Sequence, residues 1–410
     1  MNFLENKKIL IGITGGIAAY KIPSLIRRLI LAGAEVKVIV TENAKHFVQP
    51  ELFGYLTGHP VYTSSFVENN EFRMHHIDFQ SWADLLLIAP ATANVIGKID
   101  HGLADDLLST TALSVQCPTL ICPAMNSSML YHPAVQSNIS SLQKKGVNIL
   151  SPESGNLLCG TEGDGRLPSE DRIILEAEKI LAPKPDFLKD KSVTITLGAS
   201  REHLDPIRFI TNASSGEMGL AIAESCYIMG AKKITLLKGA GVPDPVFPCK
   251  VVPCLDTDGF FKGYKTLHKS TDIAFFPAAL ADFTPVRQEG KKIKKAGKQT
   301  LRLELKRTDD VAQWAGTNKR KGQILIGFSA EDQDALPNSF KKLEKKGLDA
   351  LILNVLTADN PAFSSPLNEV HLLFPKGNSL YIERQPKKFL ARKIMLQLRD
   401  YFKSHYLSLN

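Results

Sequence analysis

The chain lacks any apolar run approaching the roughly 20 residues needed to cross a membrane. Its opening residues, MNFLENKK, hold no apolar core of a secretory leader. Together these predict a cytoplasmic chain. Cysteine is scarce: six residues, at 117, 122, 159, 226, 249 and 254, form no CxxC pair and have no His-rich segment to partner them. That argues against a structural zinc site and predicts reduced thiols. Low-complexity segments are absent, and so is a full GxGxxG spacing, which leaves a standard dinucleotide site unsupported. The charge imbalance is modest, 50 Lys and Arg against 42 Asp and Glu. Its Lys excess gathers at 291–298 and 341–346 rather than over a face with interleaved aromatics. Small phosphorylated ligands are therefore favoured over nucleic acid.

What is present begins twice. KILIGITGG runs into a helical pattern at 17–32, and SVTITLGAS leads through a loop into SSGEMGLAIAESCYIMG. In each case a strand meets small residues where a helix starts, leaving backbone N–H groups for an anion. Short, largely apolar segments at 35–41, 83–90 and 119–125 alternate with helical patterns at 102–116 and 131–145. They recur at 234–237, 272–277, 324–328 and 348–354, as buried parallel strands do. HLLF and SLYI flank PKGN as a hairpin, and a terminal amphipathic helix covers 386–403. At 410 residues two domains are expected. The fold class is α/β, two doubly wound Rossmann-like domains at 1–182 and 190–405. The Pro- and charge-bearing stretch around 183–189 is the linker.

Strand ends carry ligands in this architecture. Three in the first half are loaded: Gly15-Gly16-Ile17-Ala18, Ala89 to Asn94, and Pro123-Ala124-Met125-Asn126. The first suits a mononucleotide phosphate. His76, taken alone, reads as structural or solvated. Cys159 sits on a Gly-rich loop, where a thiol is exposed and movable rather than buried, and such a loop can close over a substrate. In order, GITGGIAAYK, HID, WADLLLIAPATAN, LADDLLST, PAMN and CGTEGDGR resemble the flavin-containing cysteine decarboxylases, in particular those acting on phosphopantothenoylcysteine. The resemblance spans residues 5–180. It implies FMN, which takes up electrons from the substrate thiol before CO2 is lost and returns them afterwards. It also implies that His76 is essential, that Asn126 holds the substrate carboxylate, and that Cys159 protonates the enethiol. A thiol has a suitable ordinary pKa for that step. His75 precedes His76, and the His-Ile-Asp pattern selects the latter. Flavin contacts are expected at Gly16, Ala18, Thr41, Thr92, Asn94 and Ser109.

In the second half, Asn212 and two serines precede a helix in LDPIRFITNASSGEMG, a strand ends in AALADF, and KKIKK occupies a loop that can fold over a triphosphate. A Ser N-cap accounts for one serine but not for the whole run. With KRTDDVA, GFSAE and LILN, these segments resemble the phosphopantothenate–cysteine ligases over 190–400. That family implies CTP as co-substrate, an acyl-cytidylate intermediate, and Mg2+ held mainly by the CTP phosphates. Asn212 would contact the acyl-cytidylate and Lys292 would be the essential loop lysine. Asp282, Thr308, Asp309, Asp310, Val311, Phe328, Lys342 and Lys346 would contact CTP. Thr308 departs from the usual Pro, and LGASRE from the usual Ala-Gly-Pro-Thr-Arg-Glu. The combined expectation is a bifunctional enzyme acting on 4'-phosphopantothenate, cysteine and CTP, a homo-oligomer as large as a dodecamer. The alternatives are a flavin-binding regulatory protein and a peptidyl-cysteine decarboxylase. Retention of His76, Asn126 and Cys159 argues against the first, and the second domain argues against the other.

Overall fold

The computed structural model describes residues 2–64, 74–156, 160, 162–294, 300–357 and 365–406, without the side chains of residues 405 and 406. They divide into two compact units, Asn2–Ala182 and Pro183–Asn410.

The first unit is built on six parallel strands: β1 (Lys8–Ile13), β2 (Glu35–Val40), β3 (Val61–Tyr62), β4 (Leu85–Ala91), β5 (Thr119–Pro123) and β6 (Asn148–Ile149). Their order is β3-β2-β1-β4-β5-β6. The order reverses between β1 and β4, where open α/β sheets form a crevice. Apolar residues run without alternation because both faces are covered. Ile9, Ile11 and Ile13 face one core, with Ile22, Leu25, Ile26 and Leu29. Leu10, Leu86, Ile88 and Ile121 face another, with Val95, Ile96 and Leu108. The helix Ile22–Leu31 buries positions 22, 25, 26 and 29, one helical stripe. An antiparallel ribbon, β7 (Glu153–Asn156) and β8 (Glu162–Arg166), stands apart from the sheet.

Two helical expectations are refined. Within 17–32, residues Ile17–Lys21 form a 3-10 turn, and the α-helix starts at Ile22 with Pro23 in its first turn, where a missing N–H costs nothing. The stretch 102–116 holds one helix, which starts later than its apolar pattern. A helix over Ala93–His101 ends at Gly102, whose φ of 71° is a left-handed cap, and a new one covers Leu107–Ser114.

The second unit begins with β9 (Ser192–Leu197), a ribbon of β10 (Arg201–His203) and β11 (Phe209–Thr211), then β12 (Lys233–Lys238), β13 (Lys250–Pro253) and β14 (Ile273–Phe276). A second ribbon pairs β15 (Phe283–Pro285) with β16 (Leu305–Arg307). The strands β17 (Ile324–Glu331), β18 (Ala350–Val355), β19 (Leu367–Leu373) and β20 (Ser379–Pro386) complete an eight-stranded sheet, ordered β13-β12-β9-β14-β17-β18-β19-β20. It is parallel from β13 to β18, and an antiparallel meander then turns at Pro375–Gly377. The closing helix, Lys387–Tyr406, buries Leu390, Ile394, Leu398 and Phe402. Residues 183–189 are packed onto this unit. Asp186–Leu188 form a 3-10 turn, Leu188 is buried, and the Phe187 ring lies 5.9 Å from that of Phe402. The five described cysteines are free thiols.

Candidate active sites

At the carboxyl ends of β1, β4 and β5 the first unit opens a cleft of about 510 Å³. Gly16 and Ala18 line it from the turn after β1, Thr92 from the end of β4, Asn126 from the end of β5, and Gly165 from β8. Buried Thr14 ties two of these ends together. Its hydroxyl donates to the Pro90 carbonyl at 2.7 Å and accepts from the Thr92 N–H at 3.0 Å. Gly15 lies against Asn43, where a Cβ would come within 2.5 Å. The walls carry exposed apolar surface on Ile17, Tyr20 and Met129. A roomy cleft with apolar walls, a glycine-lined cradle and a few polar groups fits a planar aromatic cofactor bearing a phosphate.

Asn126 caps the short helix Ser127–Leu130. Its Oδ1 accepts from the Met129 N–H at 2.8 Å. The cap fixes which end of the amide faces the cleft: with Oδ1 engaged, Nδ2 is the free end, a donor for an anion.

The ribbon β7–β8 is latched to this loop. The Gly165 carbonyl accepts from Met125 N–H at 3.0 Å, Ser127 Oγ donates to the Asp164 carbonyl at 2.6 Å, and Tyr131 donates to the Asp164 carboxylate. Ser154 Oγ also donates to that carboxylate, and Ser154 first and Tyr131 second hold the Asp164 carboxyl below its usual range. Gly165 sits at φ +126°, and a Cβ there would come 2.0 Å from the Met125 carbonyl oxygen. Gly165→Ala should therefore unlatch the ribbon. Backbone strain alone costs about 1–3 kcal/mol. The expected result is a lowered melting temperature together with a weakened cleft; an unchanged melting temperature would contradict the latch.

The remaining first-domain candidates are dispersed. Cys159 lies outside the described residues. His76 is on the helix His75–Trp82 and does not line the cleft. Among the described residues its buried Nδ1 has no hydrogen-bond partner, and its carbonyl accepts from Ser114 Oγ at 3.4 Å. His75 has different surroundings: its ring meets Tyr62 edge-on at 4.7 Å, and burial pushes its pKa down against the pull of Asp78. Thr41 lines a separate depression of about 270 Å³ with Asp105 and Asp106. Ser109 is fully buried in a capping box, its N–H on Asp106 Oδ1 at 2.8 Å, and offers no surface to a ligand. Asn94 is exposed beyond the lining of the cleft.

In the second unit a pocket of about 150 Å³ opens at the ends of β14, β17 and β18. Ser214, Gly216, Ala279, Phe328, Asn354 and Lys387 line it. Asn212 is pinned beside the AALADF loop, its Nδ2 donating to the carbonyls of Ala279 at 3.2 Å and Leu280 at 3.1 Å. Its Oδ1 is thereby the end available to a ligand. That loop is tied to the turn at 308–311. Thr308 N–H donates to the Asp282 carbonyl at 3.0 Å, and Thr308 Oγ1 donates to the Ala281 carbonyl at 2.6 Å. The side chains of Asp282 and Asp309 are exposed. Asp310 caps the helix Val311–Thr317, and Val311 is in the core, so its side chain faces no nucleotide. Burial pushes the Asp310 carboxyl up, but Lys346 at 2.8 Å and the helix N–H groups outweigh it and hold the group below its ordinary value. Lys342 pairs with Glu331. Both lysines therefore face carboxylates, and neither lines the pocket.

Lys292 is exposed, and the residue after it is anchored on both sides. Ile293 N–H donates to Asp205 Oδ2 at 3.0 Å, and the Ile293 carbonyl accepts from Arg208 Nη1 at 3.0 Å. Buried Asp205 also accepts from the N–H groups of Ile207 and Arg208, each at 2.8 Å. The Ile293 N–H leads the causes that hold its carboxyl below the usual range. Asp205 was not singled out from the sequence; Asp-Pro-Ile-Arg carries only the signal of an Asx turn. Among the described residues no group of three or more His, Cys, Asp or Glu is placed to hold a metal ion, and no helix is long and apolar enough to cross a membrane.

Two doubly wound domains, each with a cleft at the carboxyl ends of its strands, define a two-domain α/β protein of the Rossmann-like class. The first is a flavoprotein domain: residues 2–180 match the Flavoprotein family, and residues 188–401 match the DNA/pantothenate metabolism flavoprotein C-terminal domain. The chain is 41% identical over 396 residues to the coenzyme A biosynthesis bifunctional protein CoaBC of Bacillus subtilis, covering 96% of this chain and 97% of that one. It is 36% identical to the proteins of the same description from Vibrio vulnificus (97% and 99% covered) and Mycolicibacterium smegmatis (97% and 98%). The chain belongs to this family of bifunctional coenzyme A biosynthesis proteins.

Proposed function

We propose that this bifunctional enzyme joins cysteine to 4'-phosphopantothenate with CTP in residues 190–405, then decarboxylates the product in residues 1–182. The observation that carries the reading is the match to bifunctional relatives along almost the entire chain, which brings both halves together in one order. Flavin, as FMN, occupies the first cleft and supplies reversible two-electron oxidation of the substrate thiol. Gly16, Ala18 and Thr92 line its cradle, with Thr41, Asn94 and Ser109 as outer or supporting positions. Asn126 holds the substrate carboxylate through Nδ2. His76 is the essential histidine, its unpartnered Nδ1 being in keeping with a role that awaits a ligand. Cys159 donates the proton that completes reduction.

In the second domain the carboxylate of 4'-phosphopantothenate attacks the α-phosphate of CTP, giving an acyl-cytidylate and pyrophosphate, and the cysteine amine displaces CMP. Asn212 contacts the intermediate through Oδ1, and Lys292 offsets charge on the phosphates, with Mg2+ carried mainly by CTP. Asp282, Phe328 and the turn Thr308-Asp309-Asp310-Val311 frame the nucleotide, the last through its backbone. Lys342 and Lys346 exchange a carboxylate partner for phosphate. The enzyme works in the cytoplasm as a homo-oligomer, up to twelve copies. Purified protein should be yellow, and a colourless protein that takes up no FMN would contradict the first-domain reading. Replacing CTP by ATP should largely abolish ligation; equal rates would contradict the nucleotide assignment.

Asp205→Asn removes the acceptor that holds Ile293 and sets an amide N–H against backbone N–H groups. Ligation should fall about tenfold or more through a raised KM for CTP, with decarboxylation of added substrate unchanged. Normal KM and kcat would remove Asp205 from the anchoring of Lys292. The depressed carboxyl gives the sign with pH: this anchor is intact above the ordinary carboxylate range and is lost as pH falls through the lowered value.

A further inference from the structure

Among the described residues, Glu217 and Lys387 are the only charged side chains lining the second-unit pocket. They pair with each other at 2.6 Å, although 170 positions separate them in the chain. Their surroundings differ: the Lys387 side chain is 9% exposed and that of Glu217 is 53% exposed. Two helices start at this wall. Glu217–Ile228 begins after Gly216, which carries no capping side chain, and the closing helix begins at Lys387 with no acidic residue in its first turn. A lysine is the wrong charge for a helix N-terminus, and burial adds to its cost. Two helix starts and a buried ammonium together make a place of positive potential that stabilises an anion. Glu217 is the anion this chain puts there. Its half-exposed carboxylate can turn out into water, whereas Lys387 is held by burial and by its N–H, which donates to the Pro366 carbonyl at 3.1 Å. The two helices stay clasped without this pair, since Lys388 at 3.0 Å and buried Arg392 at 3.6 Å both reach Glu224.

We propose that Glu217 is a built-in competitor of the ligase substrates: its carboxylate holds Lys387 until a substrate phosphate displaces it and takes the lysine. This rests on reading the second domain as the phosphopantothenate–cysteine ligase. Phe328, which frames the nucleotide in that reading, lines the same pocket. CTP and 4'-phosphopantothenate both carry phosphate, and the experiment tells the two sources apart.

The two partners of the pair should respond in opposite directions, which a structural tie would not produce. Glu217→Gln removes the competitor and should lower KM for one substrate about threefold, the worth of a partly exposed ion pair. Lys387→Gln should raise the same KM about tenfold or more, the worth of a hydrogen bond to a charged group. In the double variant the Glu217 substitution should bring no gain. These changes should fall in KM rather than kcat, and decarboxylation of added phosphopantothenoylcysteine should not change. With KM measured separately for CTP and for 4'-phosphopantothenate, the substrate that responds names the phosphate. A raised KM in both single variants would reduce the pair to a structural tie and overturn the proposal. An equal gain from Glu217→Gln with and without Lys387 would overturn it as well. If Lys387→Gln fails to fold, Glu217→Gln decides alone: a lowered KM supports the exchange, and an unchanged or raised one overturns it. Calorimetric titration with CTP and with 4'-phosphopantothenate reads the exchange without turnover. Glu217→Gln should bind one of them about threefold more tightly than the unsubstituted protein does, and equal binding would overturn the proposal. Tighter binding in a protein that forms no ligated product would contradict the ligase reading and leave the exchange standing.

Discussion

Asn126→Asp should leave the protein folded and yellow while lowering kcat/KM for decarboxylation by about 10²–10³, the size associated with losing one aimed donor. The substitution is informative because it separates two jobs. Asn126 Oδ1 accepts the Met129 N–H at 2.8 Å, and an Asp oxygen does that equally well, since Asp is a strong helix cap. The other end of the side chain changes from a donor to a carboxylate oxygen, which then faces the carboxylate of the substrate. Attraction becomes repulsion in a half-enclosed site. A loss of flavin would mean that Asn126 serves the cofactor, and undiminished turnover would mean that it does not meet the substrate carboxylate. Asn126→Ala would lose the cap as well, and the difference between the two variants in melting temperature isolates that contribution.

The second large effect falls in the other domain. Lys292→Gln should reduce ligation by about 10²–10³ and leave decarboxylation of supplied phosphopantothenoylcysteine untouched. Lys292 is exposed, so its replacement has no packing to disturb. Its neighbour Ile293 is bound on both sides, to Asp205 at 3.0 Å and Arg208 at 3.0 Å, so the chain presents this lysine from a fixed point. Loss of pyrophosphate release would place it in the first half-reaction. Pyrophosphate release at a normal rate with no ligated product would place it in the second. Normal rates for both would exclude it.

Much of the fold was legible because parallel strands buried on both faces read as short apolar runs. That is the pattern of β1, β4, β9 and β14, and the meander at β19–β20 was marked by its turn. The ribbon β7–β8 was not legible. Its sequences, ESGN and EGDGR, have little strand propensity, and what holds them is contact with the loop at 125–131. The late start of the helix within 102–116 was missed because the left-handed Gly102 and the Asp106 capping box delay it in a run whose apolar period looks continuous. At the sites, Gly16, Ala18, Thr92 and Asn126 line one cleft, and Phe328 lines the pocket of the second unit. Ser109 is a different case: its place in LADDLLST reflects a helix start as well as any ligand. Thr14 and Asp205 act through partners distant in sequence, which no local pattern records.

The central claim is that one chain performs both reactions in succession. Incubation with 4'-phosphopantothenate, cysteine, CTP and Mg2+, with pyrophosphate and CO2 followed together, tests it most directly. The account predicts that pyrophosphate appears first, that CO2 follows after a lag to one equivalent per pyrophosphate, and that omitting CTP stops both. CO2 released without pyrophosphate, or pyrophosphate and ligated product with no CO2 from the FMN-loaded protein, would contradict it.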